Sequence, residues 1–114
     1  MSSPAAHDRI DETIHQRTRL AIMVTLAGVE SLEFNDMKVQ LGLTDGNLST
    51  HGGALEKAGY VKITKTFRGR KPLTKLAITA KGRKALASYV DLLQGILSQA
   101  KQGTDGATTR RESR

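Results

Sequence analysis

The chain has 114 residues, 38 % of them hydrophobic, with no cysteine and a net charge of +7. The length suits one domain, no apolar run approaches the ~20 residues a bilayer span needs, and the lack of thiols excludes a disulfide scaffold, a thiolate zinc site, an iron–sulfur cluster and a cysteine nucleophile. Nine of the 18 Lys and Arg fall within residues 60–86, which hold no Asp or Glu, and such a concentrated single-sign patch is what a polyanion partner requires.

The opening residues, MSSPAAHDRIDE, lack both a basic start and an apolar stretch, so no secretory signal is expected and the cytoplasm is the expected compartment. Residues 1–7 are small and polar and are expected to be flexible. From Asp8 the pattern turns helical. Ile10, Ile14, Arg17, Ala21, Val24 and Gly28 recur at steps of three and four, with Leu20, Met23 and Ala27 in an adjacent row. Acids at Asp8, Asp11 and Glu12 suit the positive end of a helix dipole. The spacing predicts one helix over residues 8–29.

Ser31 to Phe34 reads as a short extended piece. Asn35 can cap a second helix over 36–41, which Gly42 stops. Thr44 is a strong cap for a third helix, 45–58, ended by Gly59. Leu48, Leu55 and Ala58 line one side of it with Gly52 between them; Gly46, Thr50, Gly53 and Lys57 line the other, flanked by Asn47 and Ser49. His51 falls near the inward side and is expected to be packed.

The period then switches to two. Residues 60–66 and 73–78 alternate, with Val61, Ile63, Leu76 and Ile78 facing in. Between them Phe67-Arg68-Gly69-Arg70-Lys71-Pro72 reads as the basic tip of a hairpin, where a proline without a donor is tolerated. Thr79 caps a long helix, 80–102, with an apolar set of Leu86, Tyr89, Val90, Leu93, Ile96, Leu97 and Ala100. That stripe is wider than one small domain can cover, and the first helix also has two apolar rows. Burying both across a two-fold axis predicts a homodimer, with Ile10, Ile14, Tyr89, Leu93, Ile96 and Leu97 in its interface. Lys81, Arg83 and Lys84 run against the dipole at the start of the long helix and hint at a phosphate-facing role. Residues 103–114 are expected to be a disordered tail. One domain therefore spans 8–102, mainly α with a small β-hairpin.

The third helix presents small polar residues outward, the shape a DNA major groove admits, and its N-terminus offers free N–H groups to phosphates. The hairpin sets Arg68, Arg70 and Lys71 where a flanking backbone or minor groove would pass. The runs Leu41 to His51, Leu55 to Val61 and Phe67 to Thr74 resemble the small winged helix-turn-helix transcriptional regulators of the MarR/ArsR type, over about residues 10–97. The resemblance implies a homodimer, usually a repressor, on a pseudo-palindromic double-stranded operator. It implies DNA contacts from Thr44, Asn47, Ser49 and Thr50 on a recognition helix 45–58, and a wing of Arg68, Arg70 and Lys71. The family usually continues after His51 with a leucine and then bases. Here Gly52-Gly53-Ala54 stand instead, which leaves Lys57 as the one base on this helix and predicts a gap beneath Gly52.

No P-loop, nucleophile elbow, GxGxxG or paired carboxylates point to an enzyme. The three histidines are too scattered to suggest a metal site, no cofactor is expected, and nothing marks an effector pocket. Two rival readings share the charge pattern. One is a sequence-independent architectural DNA binder; the other is a winged helix used as a protein-interaction module, for which the glycine pair is the best argument.

Overall fold

The structure, a computed structural model, describes residues 9–112, with side chains described from Arg9 to Gly103. The expected flexible start, residues 1–7, lies outside the described residues. In chain order the elements are α1 (Glu12–His15), α2 (Arg17–Ala27), β1 (Leu32–Glu33), α3 (Phe34–Leu41), α4 (Asp45–Lys57), β2 (Val61–Arg68), β3 (Lys71–Ile78) and α5 (Ala80–Glu112).

The single helix expected over 8–29 is two. Asp11 caps α1 by accepting from the Thr13 N–H, and the chain breaks at Gln16, which is extended (φ −67°, ψ 133°) and caps α2 by accepting from the Arg19 N–H at 2.8 Å. The break resets the helical phase. Ile22, Met23 and Leu26 become the buried row of α2, while Val24, expected on the inward face, is 55 % exposed. Arg19 closes the corner: its guanidinium donates to the carbonyls of Thr13 and Glu12 and to His51 Nδ1 on α4 at 3.3 Å.

The helix-turn-helix follows its glycine and threonine signals, but α3 starts earlier than expected: Glu33 stands at its cap position without a side-chain cap bond, and Asn35, expected as the cap, lies inside the helix. Gly42 ends α3 in the left-handed region at φ 63°, a conformation that L side chains rarely adopt. Thr44 then accepts from the Asn47 N–H at 3.0 Å to start α4. β3 is the central strand of an antiparallel sheet ordered β1-β3-β2. β1 pairs only Leu32 with Leu76 and Glu33 with Lys75, so Pro72 sits beyond it with one side of its backbone free. The core joins Ile14, Ile22, Met23, Leu26 and Met37 to Leu48 and Leu55 of α4, Val61, Leu76 and Ile78 of the sheet, and Leu86 and Tyr89 of α5.

Two tyrosines tie α1 to the rest of the domain. Tyr89 on α5 meets His15 Nδ1 at 2.9 Å, and the Tyr60 hydroxyl donates to Asp11 Oδ2 at 2.5 Å. The Asp11 hydrogen bond, then burial, then the Asp11 charge raise the Tyr60 phenol from 10.0 to about 12. The unfolded chain therefore loses this proton first, and the contribution to stability is full below pH 10.0 and disappears as pH rises towards about 12. Tyr60→Phe is expected to remove that part of the alkaline loss. Denaturant unfolding of both proteins across this pH range checks it, and parallel curves would show that the bond contributes nothing.

α5 runs to Glu112, past Gln102 where composition predicts an irregular tail. Once a helix is nucleated, each added residue gains one hydrogen bond for one residue fixed, and no proline follows Pro72 to stop it. The projecting helix gives a radius of gyration of 18.6 Å, against about 13 Å for a compact domain of this length.

Candidate nucleic-acid interface

α4 lies against the sheet through Leu48, Gly52 and Leu55, all buried. A Cβ on Gly52 would lie 3.5 Å from Leu76 Cδ2 and 3.7 Å from Ile63 Cδ1, which is ordinary contact. The expected gap is therefore absent: the helix has moved in until sheet side chains fill the space. Glu56, one turn on, accepts from the backbone N–H of Ile63 at 3.3 Å. β2 is an edge strand, and this bond occupies one of its outward donors.

The opposite face of α4 is open. Thr44, Gly46, Asn47, Ser49, Thr50 and Lys57 are exposed. The Thr44 oxygen is engaged as the cap acceptor, but its hydroxyl proton remains available to a phosphate. Asp45, the acid nearest this edge, is paired with Lys38 of α3. That exposed pair adds little stability, yet it offsets a charge that would repel phosphate.

The hairpin is longer and sharper than expected. Its strands pair through Phe67 with Pro72 and Arg68 with Lys71, leaving a turn of Gly69 and Arg70 alone. Gly69 has φ 64°, and among the described residues no non-glycine has positive φ, the pattern of a type II′ turn. Alternation then divides the side chains between two faces. Lys65 and Phe67 share the face of Val61 and Ile63, which looks towards α4; Lys62 and Arg68 lie on the other. Arg68 is drawn away from α4 by an ion pair with Glu33 of β1 at 3.0 Å. Arg70 and Lys71 are exposed, and among the described residues neither has an ion-pair partner.

Between α4 and the hairpin lies a cleft of about 390 Å³, lined by Phe34, Ser49, Gly53, Glu56, Ile63, Lys65 and Thr74. It brings Ser49 of the predicted contacts beside Lys65, which the sequence reading counted in the basic stretch but did not place in the site. The signal was present: Lys65 is two residues on from Ile63 and shares its face. Gly53 has nothing within 4 Å of a built Cβ, so the backbone of α4 is open along this edge.

A family model described as winged helix DNA-binding domain matches residues 18–97. The chain belongs to this family. Among similar proteins, an uncharacterized protein of Methanocaldococcus jannaschii is 42 % identical over 77 residues, covering 67 % of this chain and 84 % of that one. A transcriptional regulator homologue from Pyrococcus horikoshii superposes with a TM-score of 0.75 at 29 % identity, covering 79 % of this chain and 89 % of the other. The Mycobacterium tuberculosis transcriptional regulator MosR, solved in complex with DNA, shares the fold with a TM-score of 0.62 at 18 % identity, over 79 % of this chain and 64 % of its own.

Within this winged helix, the bases at the start of α5 are all exposed, and two of them also have partners within the chain. Arg83 donates to the carbonyl of Ala27 at 3.0 Å and so caps α2, a cation at a helix C-terminus where the dipole favours it. Lys81 lies 3.3 Å from where a Cβ of Gly59 would be, with its ammonium 5.7 Å above the Tyr60 ring. Lys84 is exposed. The residues expected between two copies also divide. Ile14 and Tyr89 are buried within the chain itself, at 0 % and 5 % exposure, and belong to its own core. Ile10 and Leu93 are half-buried and pack against that core, Ile96 is half-buried and Leu97 is exposed. Among the described residues, no group of three metal-ligating side chains gathers, and no helix is long and apolar enough to cross a membrane.

Proposed function

We propose that this winged helix DNA-binding protein regulates transcription as a homodimer on a pseudo-palindromic duplex operator. The observation that carries the reading is the exposed small polar face of α4 beside a hairpin that holds six bases and no acid over residues 61–78, with Ser49 and Lys65 meeting in the cleft between them. The α4 face suits base edges in a major groove, read by Asn47, Ser49 and Thr50. Lys57, Arg70 and Lys71 suit phosphates, which position without specifying. The structural neighbour in complex with DNA supports duplex as the partner. Ile10, Leu93, Ile96 and Leu97 on the projecting α5 side support the dimer, and repression is the role that the resemblance implies.

Selection from a random duplex library at low and near-physiological salt tests this. An enriched inverted repeat is expected, with half-sites about 34–36 Å apart, one helical turn. Retention without a motif, lost steeply with salt, would instead mark an architectural binder. No retention at either salt would point to a protein partner. Arg70→Ala is expected to weaken binding to all sequences and to lower the salt slope by about 1, whereas Asn47→Ala or Ser49→Ala relaxes base preference. An Arg70→Ala protein with unchanged affinity and slope would sink the wing assignment.

A further inference from the structure

We propose that Phe67 and Pro72 form an apolar wedge at the wing tip that enters the minor groove of duplex DNA, unstacks a base step and bends the duplex. This rests on the DNA-binding reading above. Phe67 is 69 % exposed, and the ladder places Pro72, also exposed, directly across from it. Isolated exposed apolar residues such as Val39 on α3 are ordinary on protein surfaces. An exposed phenylalanine paired across the ladder with an exposed proline at the end of a cationic hairpin is a different case.

Three features make the tip suited to DNA and not to the body of the domain. First, the pair lies six ladder steps from Val61 and Ile78, or about 20 Å from the start of α5, so the apolar surface left for a second copy on α5 is remote from it. Second, Arg70 and Lys71 adjoin the pair, and the two acids that fold beside the hairpin are engaged, Glu33 with Arg68 and Glu56 with the Ile63 N–H, so the bases dominate at the tip. Third, Glu33 holds Arg68 on the opposite face. The face carrying Phe67 and Pro72 is therefore apolar at its end, with Lys65 one step behind.

The dimensions require deformation. Paired strands are about 4.8 Å apart before side chains are added, while the minor groove is about 6 Å wide. A two-stranded tip enters only if the groove opens, and apolar wedges between base steps open it by kinking the duplex by roughly 20–90°. The type II′ turn and the fixed Pro72 ring keep the tip stiff enough to do so.

The test uses an end-labelled duplex of about four helical turns, centred on the motif recovered by selection or on mixed sequence where none is enriched. The full-length protein is expected to shorten the end-to-end distance by energy transfer. Phe67→Ala should bind about tenfold more weakly and leave the duplex straight, with the salt slope unchanged because no charge is removed. Phe67→Leu should restore most of the bend, and Arg70→Ala should keep the bend while lowering the slope. Binding by the unaltered protein without bending, or an equal bend with Phe67→Ala, overturns the wedge alone. No binding by the unaltered protein overturns the DNA reading and the wedge with it.

Discussion

Gly82→Ala is expected to destabilise the protein by about 3 kcal/mol and to lower the melting temperature by roughly 10–20 °C. Gly82 lies in the first turn of α5, and a Cβ there would lie 2.1 Å from the carbonyl oxygen of Tyr60 and 2.9 Å from its carbonyl carbon. Both are backbone atoms, so no rotamer change relieves the clash, and α5 or the start of β2 must move. Neither moves freely. The Thr79 N–H donates to that same Tyr60 carbonyl at 2.9 Å. The Thr79 hydroxyl donates to the Gly59 carbonyl at 2.6 Å and accepts from the Gly82 N–H at 2.9 Å. Pushing α5 away breaks the cap and the strand junction together. Calorimetry of the Gly82→Ala protein checks this, and a melting temperature within a few degrees of the original would show that the junction is soft. Gly53→Ala is the control: it adds the same methyl group to a helix with nothing within 4 Å and should gain about 1 kcal/mol.

Gly52 is expected to divide two substitutions of the same site. Gly52→Ala places a Cβ at contact distance from Leu76 and Ile63, so it should gain much of the ~1 kcal/mol that helix propensity offers. Gly52→Leu restores the residue type the family usually carries there, yet it inserts a whole side chain where Leu76 is already fully buried. Overpacking of this kind typically costs about 1–3 kcal/mol. It should also lift α4 from the sheet and change the cleft that Ser49 and Gly53 share with Lys65. Urea unfolding separates the two, and a Gly52→Leu protein as stable as Gly52→Ala would mean that a cavity exists beneath the helix.

How far the sequence was legible depended on the range of the signal. Gly42 and Thr44 act on their own backbone, so the C-terminus of α3 and the N-terminus of α4 follow from residue type alone, whereas the start of α3 at Phe34 has no side-chain cap to signal it. The alternation of Val61, Ile63, Leu76 and Ile78 placed the hairpin and its inward face for the same reason. The break at Gln16 was hidden because apolar residues continue on both sides of it at near-helical spacing, and a glutamine cap is a weak signal. That error of phase put Val24 inside. The hairpin tip was drawn too loose because Phe67, Arg68, Lys71 and Pro72 look like loop residues until the two-residue turn pairs them. Arg83, Gly82 and Glu56 could not be placed from local pattern, since their partners at Ala27, Tyr60 and Ile63 are brought to them by the tertiary fold. At the candidate site, the exposed row on α4 and the exposed bases Arg70 and Lys71 are legible. The ion pair of Arg68 with Glu33 and the place of Lys65 in the cleft are not, because each depends on which side of the sheet a residue faces.

The junction of Gly59, Tyr60, Thr79 and Gly82 also has a mechanical meaning. The same few residues end α4, begin the hairpin and begin α5, and they are fastened to one another through backbone atoms. Such a joint acts as a fulcrum. With the wing tip about 20 Å away, a tilt of about 10° at the joint displaces Phe67 and Arg70 by roughly 3–4 Å, close to one base-pair rise. A small reorientation of α5, from whatever packs along it, is thus magnified at the tip into a shift on the scale of a single base step.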